Sequence, residues 1–135
     1  MRVIEVVAAV IVRDGKIFAT RRGYGEFKGM WEFPGGKIEP GEDRRHALKR
    51  EIMEELDTEV SVGDELCIVE YDYPDFHIRL HCFWCTVTDG SLVLKEHEAS
   101  GWFPPSGLGA LGWLPADREV LDRIVESTEK INGKS

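Results

Sequence analysis

Basic residues are in short supply in this chain of 135 residues: 17 Lys and Arg stand against 25 Asp and Glu, for a net charge of −8. That balance excludes a surface built to grip a nucleic-acid polymer or an anionic membrane. It leaves room for one small anionic ligand, because a bound metal reverses the local sign. Long apolar runs are missing too. Val6 to Val12 is preceded by Glu5, is closed by Arg13-Asp14, and is too short to span a bilayer. It lacks the cleavage pattern of a signal peptide, so a cytoplasmic protein is expected. Cysteine is sparse and odd in number: Cys67, Cys82 and Cys85. Cys82 and Cys85 form a C-x-x-C with no second pair to complete a zinc site, and in a strand they would point to opposite faces. Buried free thiols in a reducing compartment are the expectation. Internal repeats, low-complexity tracts and linkers are absent as well. With 42% hydrophobic and 31% charged residues, the chain then reads as one domain, 1–135, large enough for a proper core.

The stretch that organises the rest is Gly35 to Thr58, GGKIEPGEDRRHALKREIMEELDT. Its first part, through Gly41, reads as loop from its paired glycines and Pro-Gly. From about Asp43 to Leu56 there is neither Gly nor Pro, and the composition is that of a helix. Leu48, Ile52 and Leu56 give it one apolar stripe. Glu51, Glu54 and Glu55 stand at i, i+3 and i+4 and fall within one arc of about 100° bordering that stripe. Like charges this close repel, and more so when half-buried. A divalent cation that prefers oxygen would offset the repulsion, and Gly35 and Gly36 would let backbone carbonyls approach it. Taken alone, REIMEEL reads as a solvated glutamate face; the loop before it changes the weighing.

Elsewhere the pattern predicts strands at Val3 to Val12, Lys16 to Arg21, Trp31 to Phe33, Glu59 to Tyr71, Phe76 to Val87 and Leu92 to Leu94. Asp14-Gly15 is a type I′ hairpin signal, and Val62-Gly63-Asp64 marks a bend. Arg22 to Met30, Lys95 to Gly101 and Pro104 to Pro115 read as loops, with Trp102-Phe103 a last strand piece. Trp84 and Trp102 are assigned to the core. Asp117 is placed as N-cap of an amphipathic helix carrying Val120, Leu121, Ile124 and Val125, with a polar tail fraying over Asn132 to Ser135. Strands around one central helix with another at the end give an α+β fold.

Gly36, Glu42, Arg50-Glu51-Ile52 and Glu54-Glu55 stand at the spacings G, five residues, E, seven residues, R-E-U, one residue, E-E, which closely resembles the Nudix box. The match departs at Asp57 and Thr58, where the family has glycine and an aliphatic residue. A left-handed backbone just past a helix tolerates Asp. The segments Ile17 to Arg22, Trp31 to Glu39, Glu70 to Ile78, Lys95-Glu96 and Pro115 to Asp117 are similar to the MutT branch. This resemblance implies a Nudix-type α/β/α sandwich with a mixed β-sheet between helices. It implies cleavage of a nucleoside triphosphate to the monophosphate and pyrophosphate with Mg²⁺ or Mn²⁺, by a monomer or homodimer.

Carried over position by position, the resemblance places Glu51, Glu54, Glu55 and a carbonyl of Gly35 or Gly36 around the metal. Glu96 joins them, with Glu98 as its substitute; His97 between them is set aside because magnesium prefers oxygen. Either Glu51 or Glu54 serves as base, and Arg50 orients a carboxylate. Glu42 mainly favours the helix N-terminus. Arg22 clamps a phosphate, while Arg21 on the opposite face is solvated. Glu32, Phe33 and Lys37 fall with the substrate, and Tyr73, Phe76 and Phe33 flank the base. Asp117 sits where this branch contacts the base. An ionised carboxylate only accepts hydrogen bonds, which suits guanine's N1–H and 2-amine or cytosine's 4-amine. Oxidised guanine nucleotides of the 8-oxo-dGTP type lead, followed by CTP or a 5-substituted dCTP. The rivals are a non-catalytic nucleotide sensor and a hydrolase of ADP-ribose or dinucleoside polyphosphates.

Overall fold

The computed structural model describes residues 1–132. Along them run β1 (Val3–Arg13), β2 (Lys16–Arg22), β3 (Trp31–Glu32), β4 (Gly35–Lys37), α1 (Arg44–Leu56), β5 (Glu59–Asp72), β6 (His77–Asp89), β7 (His97–Phe103) and α2 (Pro115–Asn132), with a 3₁₀ helix at Pro105–Ala110. The fraying expected beyond Asn132 lies outside the described residues. No helix among them is long and apolar enough to cross a membrane.

β1 is the axis because it is apolar on both faces, and Val7 to Ile11 are all buried. It runs parallel to β6 from the Val3–His77 pair to the Ile11–Cys85 pair. It is antiparallel to β2 and to β4. β5 pairs with the far side of β6, and β3 and β7 both pair with β2. The hairpin between β1 and β2 turns on Asp14 (φ 52°) and Gly15 (φ 75°), the two positive values that a type I′ turn needs.

Strand alternation then sorts the core onto two faces. Val7, Ala9 and Ile11 pack with Leu48, Ile52 and Leu56 of α1. Ala8 and Val10 pack with Val120, Leu121 and Ile124 of α2. The result is the expected α+β architecture, a mixed sheet between helices. Trp84 and Trp102 pack against the two cores, both half-buried.

Helix α1 begins where expected. The Asp43 side chain accepts from the Arg45 and His46 N–H groups, satisfying donors that a helix start leaves free. It ends on Asp57, left-handed at φ 50° and ψ 44°, so the glycine position of the box keeps its backbone with another residue. Thr58, in place of an aliphatic residue, is fully buried; its hydroxyl donates to Leu56 O and accepts from Leu92 N–H at 2.8 Å. Both departures from the box are thus accommodated locally.

Four expectations are corrected. Gly35-Gly36-Lys37 is a strand, because it pairs antiparallel with β1, so close at Gly35 that only glycine fits there. Leu92 to Leu94 is not a strand; Leu92 (φ 55°) and Val93 are instead bonded back to the end of α1. Lys95 to Gly101 is not loop throughout, since β7 begins at His97 along β2. Asp117 is not an N-cap: it lies within the first turn of α2, which starts at Pro115. The bend near Gly63 is present as a break in the β5–β6 register between Val62 and Glu65.

Candidate active site

A cavity of about 560 Å³ opens between α1, β4 and the N-terminal halves of β1 and β6. Its lining includes Glu51, Glu54, Glu55, Gly35, Gly36 and Glu96, the six positions expected around a metal. Arg22, Glu32, Phe33, Lys37 and Phe76 line it too. Arg50, Tyr73 and Asp117 do not; they stand behind the wall.

Gly36 explains how Glu51 comes to face the cavity. A Cβ built on Gly36 would overlap the Glu51 carboxylate. The side chain therefore lies across the glycine, half-buried against β4. Gly35 is tighter still, with a Cβ position overlapping Val7 O and 2.8 Å from Ala8 Cα. These glycines provide space; neither has a positive φ.

Behind the wall, Arg50 is a hub. Its Nε and Nη2 donate to the two oxygens of Glu42 at 2.7 and 2.9 Å, its Nη1 donates to Glu51 at 2.9 Å and Glu54 at 3.2 Å, and Nη2 also reaches Lys37 O. The fork geometry of guanidinium is what allows one residue to hold three carboxylates and a carbonyl. Arg50 thus orients acids, as expected. Glu42 is corrected: its main contact is this bidentate pair, not the helix N-terminus. The Arg50 hydrogen bonds pull its carboxyl down to about 2.

The three helix acids differ in environment. The Glu54 side chain is 58% exposed, against 15% for Glu51 and 19% for Glu55. Burial pushes Glu51 above the usual carboxylate range. Burial, with Glu32, Glu51 and Glu96 close by, pushes Glu55 up to about 8. Glu55 is protonated more readily folded than unfolded, so the penalty for ionising it is absent below about pH 4.5, grows through the window, and is complete above about 8. In EDTA the protein is therefore expected to lose on the order of 3 kcal/mol between pH 5 and 8.5 from this group. Glu55→Gln should flatten that part of the slope in denaturant melts at the two pH values. An equal slope in both proteins would show that Glu55 is not the strained acid.

Beside Glu55 stands a residue the sequence reading set aside. His97 Nε2 lies 3.5 Å from Glu32 Oε2 and 3.7 Å from Glu55 Oε2. Its side chain is 5% exposed, and its Nδ1 is buried without a partner. Glu32 meanwhile accepts from Arg22 Nε and Nη2 at 3.2 and 2.8 Å. Burial alone would raise Glu32, but the His97 and Arg22 hydrogen bonds outweigh it and hold it below the usual range. A bulge in the β2–β7 pairing, where Arg21 opposes Ala99 and Arg22 opposes His97, separates the two acids: Glu96 lines the cavity, whereas Glu98 pairs with Arg21 at 2.8 Å. Arg21, expected to be solvated, is therefore ion-paired.

The rest of the lining is largely apolar, with Ile4, Val6, Ile78, Leu80, Phe33 and Phe76. Phe33 stacks on Trp113 with centroids 4.6 Å apart, and Phe76 stacks on Tyr73 at 5.2 Å. Tyr73 is thus a buried support; its hydroxyl accepts from Ala116 N–H at the start of α2. Asp117 Oδ2 accepts from Phe33 N–H at 2.9 Å. Its own burial pushes the carboxyl up to about 7.

The donor set suits a hard divalent cation, its side-chain donors being carboxylates and one of them, Glu51, lying directly across the Gly36 backbone. As they stand, no three acidic, His or Cys side chains among the described residues converge on one point, and Glu51 and Glu54 both turn to Arg50.

An acid-lined cavity with apolar and aromatic walls in an α/β/α sandwich is the layout of a cation-assisted small-molecule site. The NUDIX domain model matches residues 1–124. The chain is 41% identical over 126 residues to the CTP pyrophosphohydrolase of Escherichia coli K12, covering 93% of each. It is 31% identical to the 8-oxo-dGTP diphosphatase of the same organism, over 92% of this chain and 98% of that protein. The solution structure of the E. coli ORF135 protein superposes with a TM-score of 0.82 at 39% identity, over 93% of this chain and 91% of that one. The chain belongs to the Nudix family.

Proposed function

We propose that this protein hydrolyses a nucleoside triphosphate to the monophosphate and pyrophosphate, with Mg²⁺ or Mn²⁺ held by Glu51, Glu54, Glu55, Glu96 and a carbonyl of Gly35 or Gly36. One observation carries this reading: a single cavity is lined both by crowded carboxylates and by apolar and aromatic side chains. A binding-only domain gains nothing from Glu55 strained up to about 8. About 560 Å³ fits one nucleotide and leaves little room for a second nucleoside.

When bound, the metal neutralises phosphate charge and makes water a better nucleophile near neutral pH. The chain's own groups do the rest. Arg22, held by Glu32, presents a cation to the phosphates beside Lys37. Arg50 keeps Glu51 and Glu54 in place. Glu54, the acid most open to solvent, accepts the proton of the attacking water. Phe33 and Phe76 sandwich or flank the base, steadied from behind by Asp117 and Tyr73.

An oxidised guanine nucleotide such as 8-oxo-dGTP is the leading substrate, in line with the names of several relatives. CTP or a 5-substituted dCTP is the second reading. It is favoured by the 41% identity to a CTP pyrophosphohydrolase; the Asp117 carboxylate, expected at the base edge, is instead engaged by Phe33 N–H behind the cavity wall. Incubation of 8-oxo-dGTP, dGTP, CTP and 5-methyl-dCTP with Mg²⁺ should yield pyrophosphate and monophosphate, fastest for 8-oxo-dGTP; faster turnover of CTP or 5-methyl-dCTP would select the second reading. Orthophosphate and diphosphate as products would reject the cleavage site.

A further inference from the structure

We propose that Cys67 and Cys82 form a disulfide in response to hydrogen peroxide and are released again by dithiol reductants. The inference does not depend on which substrate the cavity takes. Cys67 on β5 and Cys82 on β6 are direct partners across an antiparallel pair. Opposed residues in such a pair have Cα atoms about 4.5 or 5.5 Å apart, and both spacings fall within the range a disulfide accepts. Both side chains lie in the core on the α2 side of the sheet, and both thiols are free. Cys85 belongs to the core on the α1 side, so the adjacent C-x-x-C cannot close across the sheet.

The two thiols are not equivalent. Cys67 is 7% exposed and Cys82 not at all. Hydrogen bonding from Cys82 holds the Cys67 thiol below its usual range against the effect of burial, with the Arg123 charge acting the same way. Burial drives the Cys85 thiol up to about 12, and it lies on the opposite face of the sheet from this pair. Oxidation therefore starts at Cys67. Its thiolate attacks one peroxide oxygen, the O–O bond breaks, and the leaving hydroxide takes up a proton to become water. The Cys82 sulfur then attacks the Cys67 sulfenic sulfur, the S–O bond breaks, and a second water leaves with the Cys82 proton. Two thiols lose two electrons and one peroxide gains them. Neither thiol lines the cavity, so the link acts on stability: it closes a loop of about fifteen residues and pins β5 to β6 beside the register break at Leu66.

The test treats the whole protein with hydrogen peroxide, alkylates it unfolded, and maps its peptides. The expected result is a Cys67 peptide joined to a Cys82 peptide, with Cys85 alkylated. The thermal midpoint should rise by roughly 10 °C, and dithiothreitol should undo both changes. Cys82→Ser should stop at a sulfenic acid on Cys67, trapped by dimedone, and Cys85→Ser should still form the link. Three alkylatable thiols after treatment, or a link that includes Cys85, would overturn the proposal.

Discussion

Glu54→Gln is expected to lower kcat by about 10³-fold while moving the thermal midpoint by no more than about 2 °C. The side chain is 58% exposed, and its bonds are to Arg50 at 3.2 and 3.3 Å. An exposed ion pair of this kind contributes little to stability, and glutamine keeps the shape. What it removes is the negative charge and the capacity to take a proton. Circular dichroism melts and a pyrophosphate assay on the same preparation separate the two effects. Undiminished turnover would remove Glu54 from the chemistry and with it the role assigned to the acidic wall. Glu51→Gln offers a contrast. Burial raises the Glu51 pKa, so neutralising it should stabilise the metal-free fold even as activity falls.

What was legible in the sequence was what is local. The α1 caps are set by Asp43 and Asp57 themselves, and the stripe of Leu48, Ile52 and Leu56 needs no partner to be recognised. The spacing of Glu51, Glu54 and Glu55 was enough to put all three at one cavity. What was missed depends on other strands. Gly35-Gly36-Lys37 has the composition of a loop and becomes a strand only because β1 passes underneath. β7 is polar because it is half-exposed, and its strand character comes from pairing with β2. The choice between Glu96 and Glu98 follows from the bulge in the β2–β7 pairing, which composition cannot supply. His97 was dismissed on ligand chemistry, but its position opposite Arg22 puts it between Glu32 and Glu55. A histidine flanked by two acids at the start of an unrecognised strand was the available signal. Asp117 was assigned to the wrong place in its helix because Pro115, a favoured first helical residue, already starts it.

Gly36→Ala and Gly35→Ala, one position apart, are expected to fail in opposite ways. At Gly36 the atoms in the way all belong to the Glu51 carboxylate. That is the tip of a flexible side chain, so the new methyl displaces it and leaves the backbone in place. Activity should drop about 10²-fold and the Mg²⁺ requirement should rise, with the thermal midpoint nearly unchanged. At Gly35 the obstacles are Val7 O, Val7 C and Ala8 Cα. They are backbone atoms of the central strand, itself fixed by β6. Nothing there can turn aside, so β4 must lift off β1 and lose its pairing and the Ala9 N–H to Pro34 O bond of 2.8 Å. The cost should reach roughly 3 kcal/mol or more, a drop in midpoint on the order of 10 °C. Melts and Mg²⁺ titrations of both variants decide the matter. If Gly36→Ala were as unstable as Gly35→Ala, the hollow at Gly36 would be structural and Glu51 would not depend on it. If Gly36→Ala kept full turnover, the acid that lies across that glycine would have no part in the reaction.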